Sequence, residues 1–240
     1  MKQFMLALIV AAAALGQPKS DTSKTAPKAA GPAAKAAPAA SSLLNPSSLK
    51  ARAPEMFQAK LTTTKGDIVI EVTRAWAPLG ADRFYNLVRS GFFTNCTFFR
   101  IVPRFVVQFG ISPRPDVARV WESARIVDDP VRHSNKRGTI TFATAGPNTR
   151  TTQFFINYSD NVPLDSQGFA AFGEVVQGMD TVVDKIYAGY GERPDQGRLQ
   201  SEGKAYTDRE FPMLDKILSA TIVPTPAAAP ADGKAADTKK

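Results

Sequence analysis

Between residues 55 and 223 apolar positions recur in two rhythms, and the shorter one dominates. Runs rich in β-branched and aromatic residues predict eight strands, at 57–63, 66–73, 97–102, 105–110, 138–144, 153–158, 169–176 and 215–223. The first two flank Lys65–Gly66 and read as a hairpin; the third and fourth are separated by Pro103–Arg104. Two segments carry a helical period. In 77–91 Pro78 stands near the first turn, Phe84, Leu87 and Val88 share a face, and Gly91 stops the run. In 178–187 Met179, Val182, Val183 and Ile186 fall on one side. Eight strands with only two separated helices do not fit a βαβ alternation. They predict a mainly β fold: a closed eight-stranded antiparallel barrel capped by two α-helices, closure removing the exposed edges. Segments 111–137 and 188–213 show no clear pattern, and "VWESARIVDDP" is a candidate for a short element within the first.

The two ends follow neither rhythm. Residues 1–16, "MKQFMLALIVAAAALG", place Lys2 before an apolar run with small residues at a plausible cleavage point. The run is too short to span a bilayer core of roughly 30 Å as a helix, and it reads as a secretory signal. No cysteine follows it, which argues against a bacterial lipid anchor, and the single Cys96 excludes an intramolecular disulfide. Residues 17–54 are rich in Ala, Pro, Ser and Lys and hold no aromatic side chain, so they read as a flexible spacer. Residues 224–240 read as a tail of the same kind. The expected domain is therefore 55–223.

Charge alters this picture little. The formal net charge is +8, yet residues 53–223 carry 20 bases and 19 acids. The excess lies on the two ends, where dispersed lysines give at most a weak, salt-sensitive attraction to an anionic envelope. No nucleic-acid partner, no membrane span and a monomeric state are expected.

The available side chains exclude several chemistries. One histidine and one cysteine cannot build a Cys/His zinc site. His133, the only histidine, sits in "VRHSNKRG" without a nucleophile turn nearby and reads as a packing residue. "GYGE" at 189–192 lacks the preceding strand and following acid of a dinucleotide loop, and there is no phosphate-cradling Walker sequence. Asp128–Asp129 before Pro130 read as turn and capping residues. No cofactor or metal is expected. What remains is a site working through shape, apolar contact and a few fixed hydrogen bonds.

One stretch resists assignment to a core. "FFRIVPRFVVQFG", residues 98–110, sets Arg100, Arg104 and Gln108 in an aromatic and aliphatic run, where burying an unpaired charge is costly. Together with "GTITFATAGPNTRTTQFFINYSDNVPLDSQGFAAFGEVVQGMDTVVDKI" it resembles the cyclophilins, peptidyl-prolyl cis-trans isomerases, from about Phe57 to Val223. The short 110–138 loop looks like the compact bacterial branch. The resemblance implies a cyclophilin-like barrel with a groove on its outer face. It assigns Arg100, Phe105 and Gln108 to catalysis. Val106, Ala143, Thr144, Ala145, Gln153, Phe155, Leu164 and Phe169 would bind substrate. The chain departs from the family's common residues at Val106, often Met; at Pro163, often aromatic; at Thr144, often Asn; and at Phe169, often His. Arg104 receives no role.

The expected function is then isomerisation of Xaa-Pro bonds in unfolded or exported proteins, with proline-containing polypeptides as partners and a bacterial periplasm as location. Two rivals stay open: a proline-peptide binder or chaperone of the same fold without catalysis, and a scaffold whose ends contact the envelope.

Overall fold

The computed structural model describes residues 42–223. The expected signal (1–16), spacer residues 17–41 and the tail (224–240) lie outside the described residues. Nine antiparallel strands form one sheet: β1 (Met56–Thr63), β2 (Gly66–Thr73), β3 (Cys96–Thr97), β4 (Arg100–Val102), β5 (Val106–Phe109), β6 (Thr139–Phe142), β7 (Phe154–Asn157), β8 (Ala171–Gln177) and β9 (Lys216–Val223). Their spatial order is β3-β9-β1-β2-β8-β6-β7-β5-β4.

The closed eight-stranded barrel with two helices does not form. The sheet curls through 295° and stops with a 9 Å gap, an open half-barrel. The cause lies in the run 97–102, expected as one strand. Cys96 and Thr97 pair with Ile217 and Lys216, whereas Arg100–Val102 pair with Gln108–Val106. Between them the Phe98 N–H donates to the Asp215 carbonyl and the Phe99 N–H to that of Gln108, both rings fully buried. The chain thus steps from one end of the sheet to the other. β3 and β4 are joined by Phe98 and Phe99, whose N–H groups go to different partners instead of forming a turn, so the sheet keeps two ends.

The helices differ as well. The 77–91 pattern forms α1 (Pro78–Arg89). The 178–187 pattern yields only a 3-10 turn, Val183–Lys185, because the N–H groups of Val182 and Val183 both return to the Gly178 carbonyl and Ile186 is already extended. The unpatterned segments hold α2 (Pro115–Glu122), α3 (Gln196–Glu202) and α4 (Lys204–Glu210). Gly203 divides the last two. Its φ is +61°, and a Cβ there would lie 2.2 Å from the Pro113 carbonyl oxygen. Among the described residues no helix is long and apolar enough to cross a membrane.

Inside the curl, aromatic rings make the core. Phe84 of α1 closes one end, its ring 5.7, 5.4 and 5.3 Å from those of Phe93, Phe154 and Phe172. The helix is set from a distance: the Asp129 carboxylate accepts from the Leu79 and Gly80 N–H groups at 3.0 and 2.8 Å and from the buried Arg150 at 3.1 Å. A carboxylate here satisfies orphan donors and meets the positive end of the helix dipole.

Residues 42–54, inside the segment expected as spacer, pack on this body. Leu43 is buried and its carbonyl accepts from the Trp121 indole at 2.8 Å. Asn86 exchanges two hydrogen bonds with the Ala51 backbone, and the Ala53 N–H donates to Asp82. Leu43→Ala is expected to cost about 2–3 kcal/mol and to lower Tm by roughly 5–10 °C. Calorimetry of the full chain checks this, and an unchanged Tm would place the strap outside the folding unit.

Candidate active site

The strands around β5 separate the core from a second apolar surface. Direct partners across an antiparallel ladder share a face. The register Arg100↔Gln108↔Phe155↔Thr141 therefore forms one row on the outer face, and Val102↔Val106↔Asn157 the next. Ile101, Val107, Ile156 and Ile140 occupy the alternate positions and fill the interior. A small cluster of Val106, Phe155 and Leu164 covers the outer face, with Phe105, Ala143 and Phe169 packed around it. The Phe155 and Phe169 rings meet edge to face at 5.8 Å.

Phe105 owes its place to the turn between β4 and β5. Arg104 takes a left-handed φ of +61° and stays exposed, so its role is conformational. The Phe105 carbonyl accepts from the Tyr158 N–H at 2.8 Å and from the Asn161 amide at 3.0 Å. Beside this apolar floor runs a polar row. Arg100 donates from Nη1 to Gln108 Oε1 at 3.3 Å, and Gln108 Nε2 donates to Gln153 Oε1 at 2.8 Å. On its other side Arg100 Nε donates to Glu192 Oε1 at 2.7 Å, and Nη2 lies 2.6 Å from the same oxygen as an ion pair. Gln153 is held close because β5 is followed by Gly110, φ +104°, where a Cβ would lie 2.1 Å from the Thr152 carbonyl. The Gln153 carbonyl accepts from the Ala143 N–H at 3.0 Å, joining the segment after β6 to the pocket. Thr144 and Ala145 continue into a turn of their own, the Thr144 hydroxyl bonded to Gly146 and Thr149 and the Ala145 N–H to Thr149. Nine of the eleven expected site residues thus line one surface or join it directly, and Thr144 and Ala145 stand at its edge.

The family model for cyclophilin-type peptidyl-prolyl cis-trans isomerases matches residues 58–203. The chain belongs to that family. Peptidyl-prolyl cis-trans isomerase A of Dickeya dadantii is 39% identical over 133 residues, 52% of this chain and 68% of the relative. Peptidyl-prolyl cis-trans isomerase-like 3 of Rhizopus delemar is 32% identical over 172 residues, 66% and 98% of the two chains. A crystal structure of a Cryptosporidium parvum cyclophilin-type isomerase superposes with a TM-score of 0.52 at 21% identity, covering 71% of this chain and 99% of that one, a likeness of fold. The protein is a peptidyl-prolyl isomerase acting on Xaa-Pro bonds, and folding assistance is consistent with that activity.

Sequence reasoning missed two parts of this cyclophilin's site. Glu192 is one; it comes from the unpatterned segment after 188, and nothing near it in the chain marks it as Arg100's partner. The other is a buried amide hub beneath the pocket wall. Asn135, fully buried, donates to Asp165 and to the Phe169 carbonyl, both at 2.7 Å, and accepts from Thr141 at 2.8 Å. Asn157 and Asn161 extend the hub to the Phe105 carbonyl. A signal existed: an Asn closing the apolar run "QFFIN" and another in "HSN" must be satisfied if buried. His133 packs flat on Trp76, rings 3.5 Å apart, as a packing residue should.

Asp165 ties the hub to the wall turn that carries Leu164. Burial raises its carboxyl, but bonds from Ser134 and from the side chain and N–H of Asn135, with the nearby His133, hold it below the ordinary 3.8. A depressed folded-state pKa contributes stability above the unfolded value and loses it as pH falls through the folded one. The wall is therefore expected to loosen only as pH drops below 3.8. NMR titration of the Leu164 methyls and Phe169 ring checks this: the acid transition should disappear in Asp165→Asn.

Proposed function

We propose that Arg100, Phe105 and Gln108 carry the isomerisation, with Val106, Ala143, Thr144, Ala145, Gln153, Phe155, Leu164 and Phe169 holding the substrate. The observation that carries this reading is a guanidinium held at the rim of an apolar pocket by a glutamine that is itself held.

The chemistry suits those groups. Delocalisation of the nitrogen lone pair into the carbonyl gives the peptide bond a rotation barrier of about 18–20 kcal/mol. Before proline the two planar isomers lie within roughly 1 kcal/mol, so exchange is slow but nearly balanced. In the twisted amide the lone pair is localised and accepts a hydrogen bond. A donor aimed there binds the twisted form better than either planar one, which is what lowers the barrier. Arginine supplies a permanent charge without any pKa adjustment.

Magnitudes divide the work. A thousandfold acceleration needs about 4 kcal/mol, and one charge-assisted hydrogen bond contributes roughly 1.5–3 kcal/mol. The remainder comes from fixing the proline ring against Phe105, Val106 and Phe155 while the neighbouring carbonyl rotates, and from partial drying of the amide. Gln108 orients the guanidinium and can contact a substrate carbonyl through its remaining amide hydrogen. The Thr144 hydroxyl is engaged in its own turn, which leaves peptide contact at that position to backbone groups.

We further place the enzyme in the compact bacterial branch and in the periplasm, as a monomeric folding assistant with at most a weak envelope contact through its basic ends. The signal-like residues 1–16 and the Ala/Pro/Lys composition that follows support this. Arg100→Ala is expected to slow cis-trans exchange of an Ala-Pro peptide about 100-fold, the worth of one such bond, with peptide affinity nearly unchanged. NMR exchange spectroscopy reads both quantities. An undiminished exchange rate would remove Arg100 from the mechanism, and a wild-type protein that binds without accelerating would favour the binder.

A further inference from the structure

The pairing of Arg100 with Glu192 is not a stability device. The Arg100 side chain is 18% exposed, but that of Glu192 is 59% exposed, and pairs with so wet a partner add little to folding. Its geometry is nevertheless specific. An arginine has five N–H groups. Glu192 takes the one on Nε and lies 2.6 Å from Nη2, and Gln108 takes one on Nη1. Hydrogens on both terminal nitrogens remain, and they belong to a guanidinium plane fixed from two sides.

The segment that delivers Glu192 is firmly seated. The Gly191 carbonyl accepts from the Ile101 N–H at 3.0 Å, so the loop lies along β4, an end strand of the open sheet. The Tyr187 N–H donates to Asp215 at 2.7 Å. The Tyr190 ring stands edge to face with those of Tyr187 and Phe211, and Arg193 lies over it at 5.0 Å. The Arg193 side chain also returns to the Tyr190 and Gly189 carbonyls. A carboxylate on such a loop is a fixed point, not a wandering counter-ion.

We propose that Glu192 is a positioning residue for the isomerase reaction: it clamps the Nε edge of Arg100 so that the free N–H groups on the terminal nitrogens keep the orientation needed by the twisted amide. The proposal rests on Arg100 being the group that contacts that nitrogen. Glu192 touches neither the pocket cluster nor, in this scheme, the substrate, and acts only through Arg100. Without it, Gln108 alone would hold a long side chain by a single bond of 3.3 Å, and the guanidinium would swing about that contact. Orientation is the quantity a reaction without covalent chemistry depends on most.

The experiment compares Glu192→Ala, Glu192→Gln, Arg100→Ala and the double variant Arg100→Ala/Glu192→Ala in the full chain, by NMR exchange on an Ala-Pro peptide. Glu192→Ala is expected to lower the saturated exchange rate about tenfold with KM within about twofold. Glu192→Gln keeps an acceptor oxygen in place and should recover most of that loss. In the Arg100→Ala background the second substitution should change nothing, because its route to the reaction is gone. The Arg100 Nε–H resonance should be slowed in hydrogen exchange in the wild type and should lose that protection in Glu192→Ala. The proposal is overturned if Glu192→Ala matches or exceeds wild type, if Gln falls as far as Ala, or if Glu192→Ala slows the Arg100→Ala enzyme further. Full activity of Arg100→Ala would instead sink the catalytic assignment itself, a separate result.

Discussion

The register of β5 is the constraint on which both surfaces of this sheet depend. Val106 to Phe109 is paired on one side with Arg100–Val102 and on the other with Phe154–Asn157. Because side chains alternate, that register sends Val107 and Phe109 into the aromatic core and presents Val106 and Gln108 to the groove. A slip by one residue would exchange the two sets, burying Gln108 among phenylalanines and exposing Phe109. The core therefore enforces the active surface. The strands that carry the pocket floor cannot shift register without disrupting that core, while the wall around Leu164 and Phe169 rests on the Asn135 hub.

The open seam of the sheet has a complementary logic. Phe98 and Phe99 carry the chain across the gap between the end strands and leave β4 with one edge unpaired by any strand. An unpaired edge must be covered or satisfied. Here the loop around Gly191 does so at Ile101, one residue from Arg100. A fully closed barrel would have placed a strand there, with its side chains fixed by the sheet's pleat. A loop can instead send Glu192 across the guanidinium at an angle no paired strand offers.

Much of this was legible in the chain. Strand positions followed from β-branched and aromatic runs, and the grouping of Arg100, Phe105, Gln108, Gln153 and Phe155 on one surface followed from the family resemblance of their motifs. Closure was misread because "TFFRIV" is continuous in composition while its hydrogen bonds change partners in the middle, and composition does not record partners. The 178–187 face of Met179, Val182, Val183 and Ile186 was misread as a helix because a helical period needs only one turn to bring those residues inward. Helices α3 and α4 were invisible: each is 7 residues long, and their surface is stitched by Arg198, Glu202, Arg209 and Glu210 in place of an apolar stripe. Glu192 was missed because its partner Arg100 lies 92 residues away in sequence, and Asn135 because Asp165 and Phe169, the groups it holds, lie 30 and 34 residues away.

That last point bears on how the arginine can work at all. A guanidinium beside phenylalanines loses hydration, and Arg83 shows the result elsewhere in the molecule, where burial, with Arg150 nearby, pulls its pKa down to about 10. Arg100 keeps solvent on one side and has an anionic partner at the seam. The companion lowers the local positive potential, which weakens the pull on a substrate nitrogen, yet it also removes the freedom to turn away. For a reaction in which no proton moves and no bond breaks, the second effect outweighs the first. A weaker charge in the right place binds the twisted amide, and a stronger one that samples many orientations binds water.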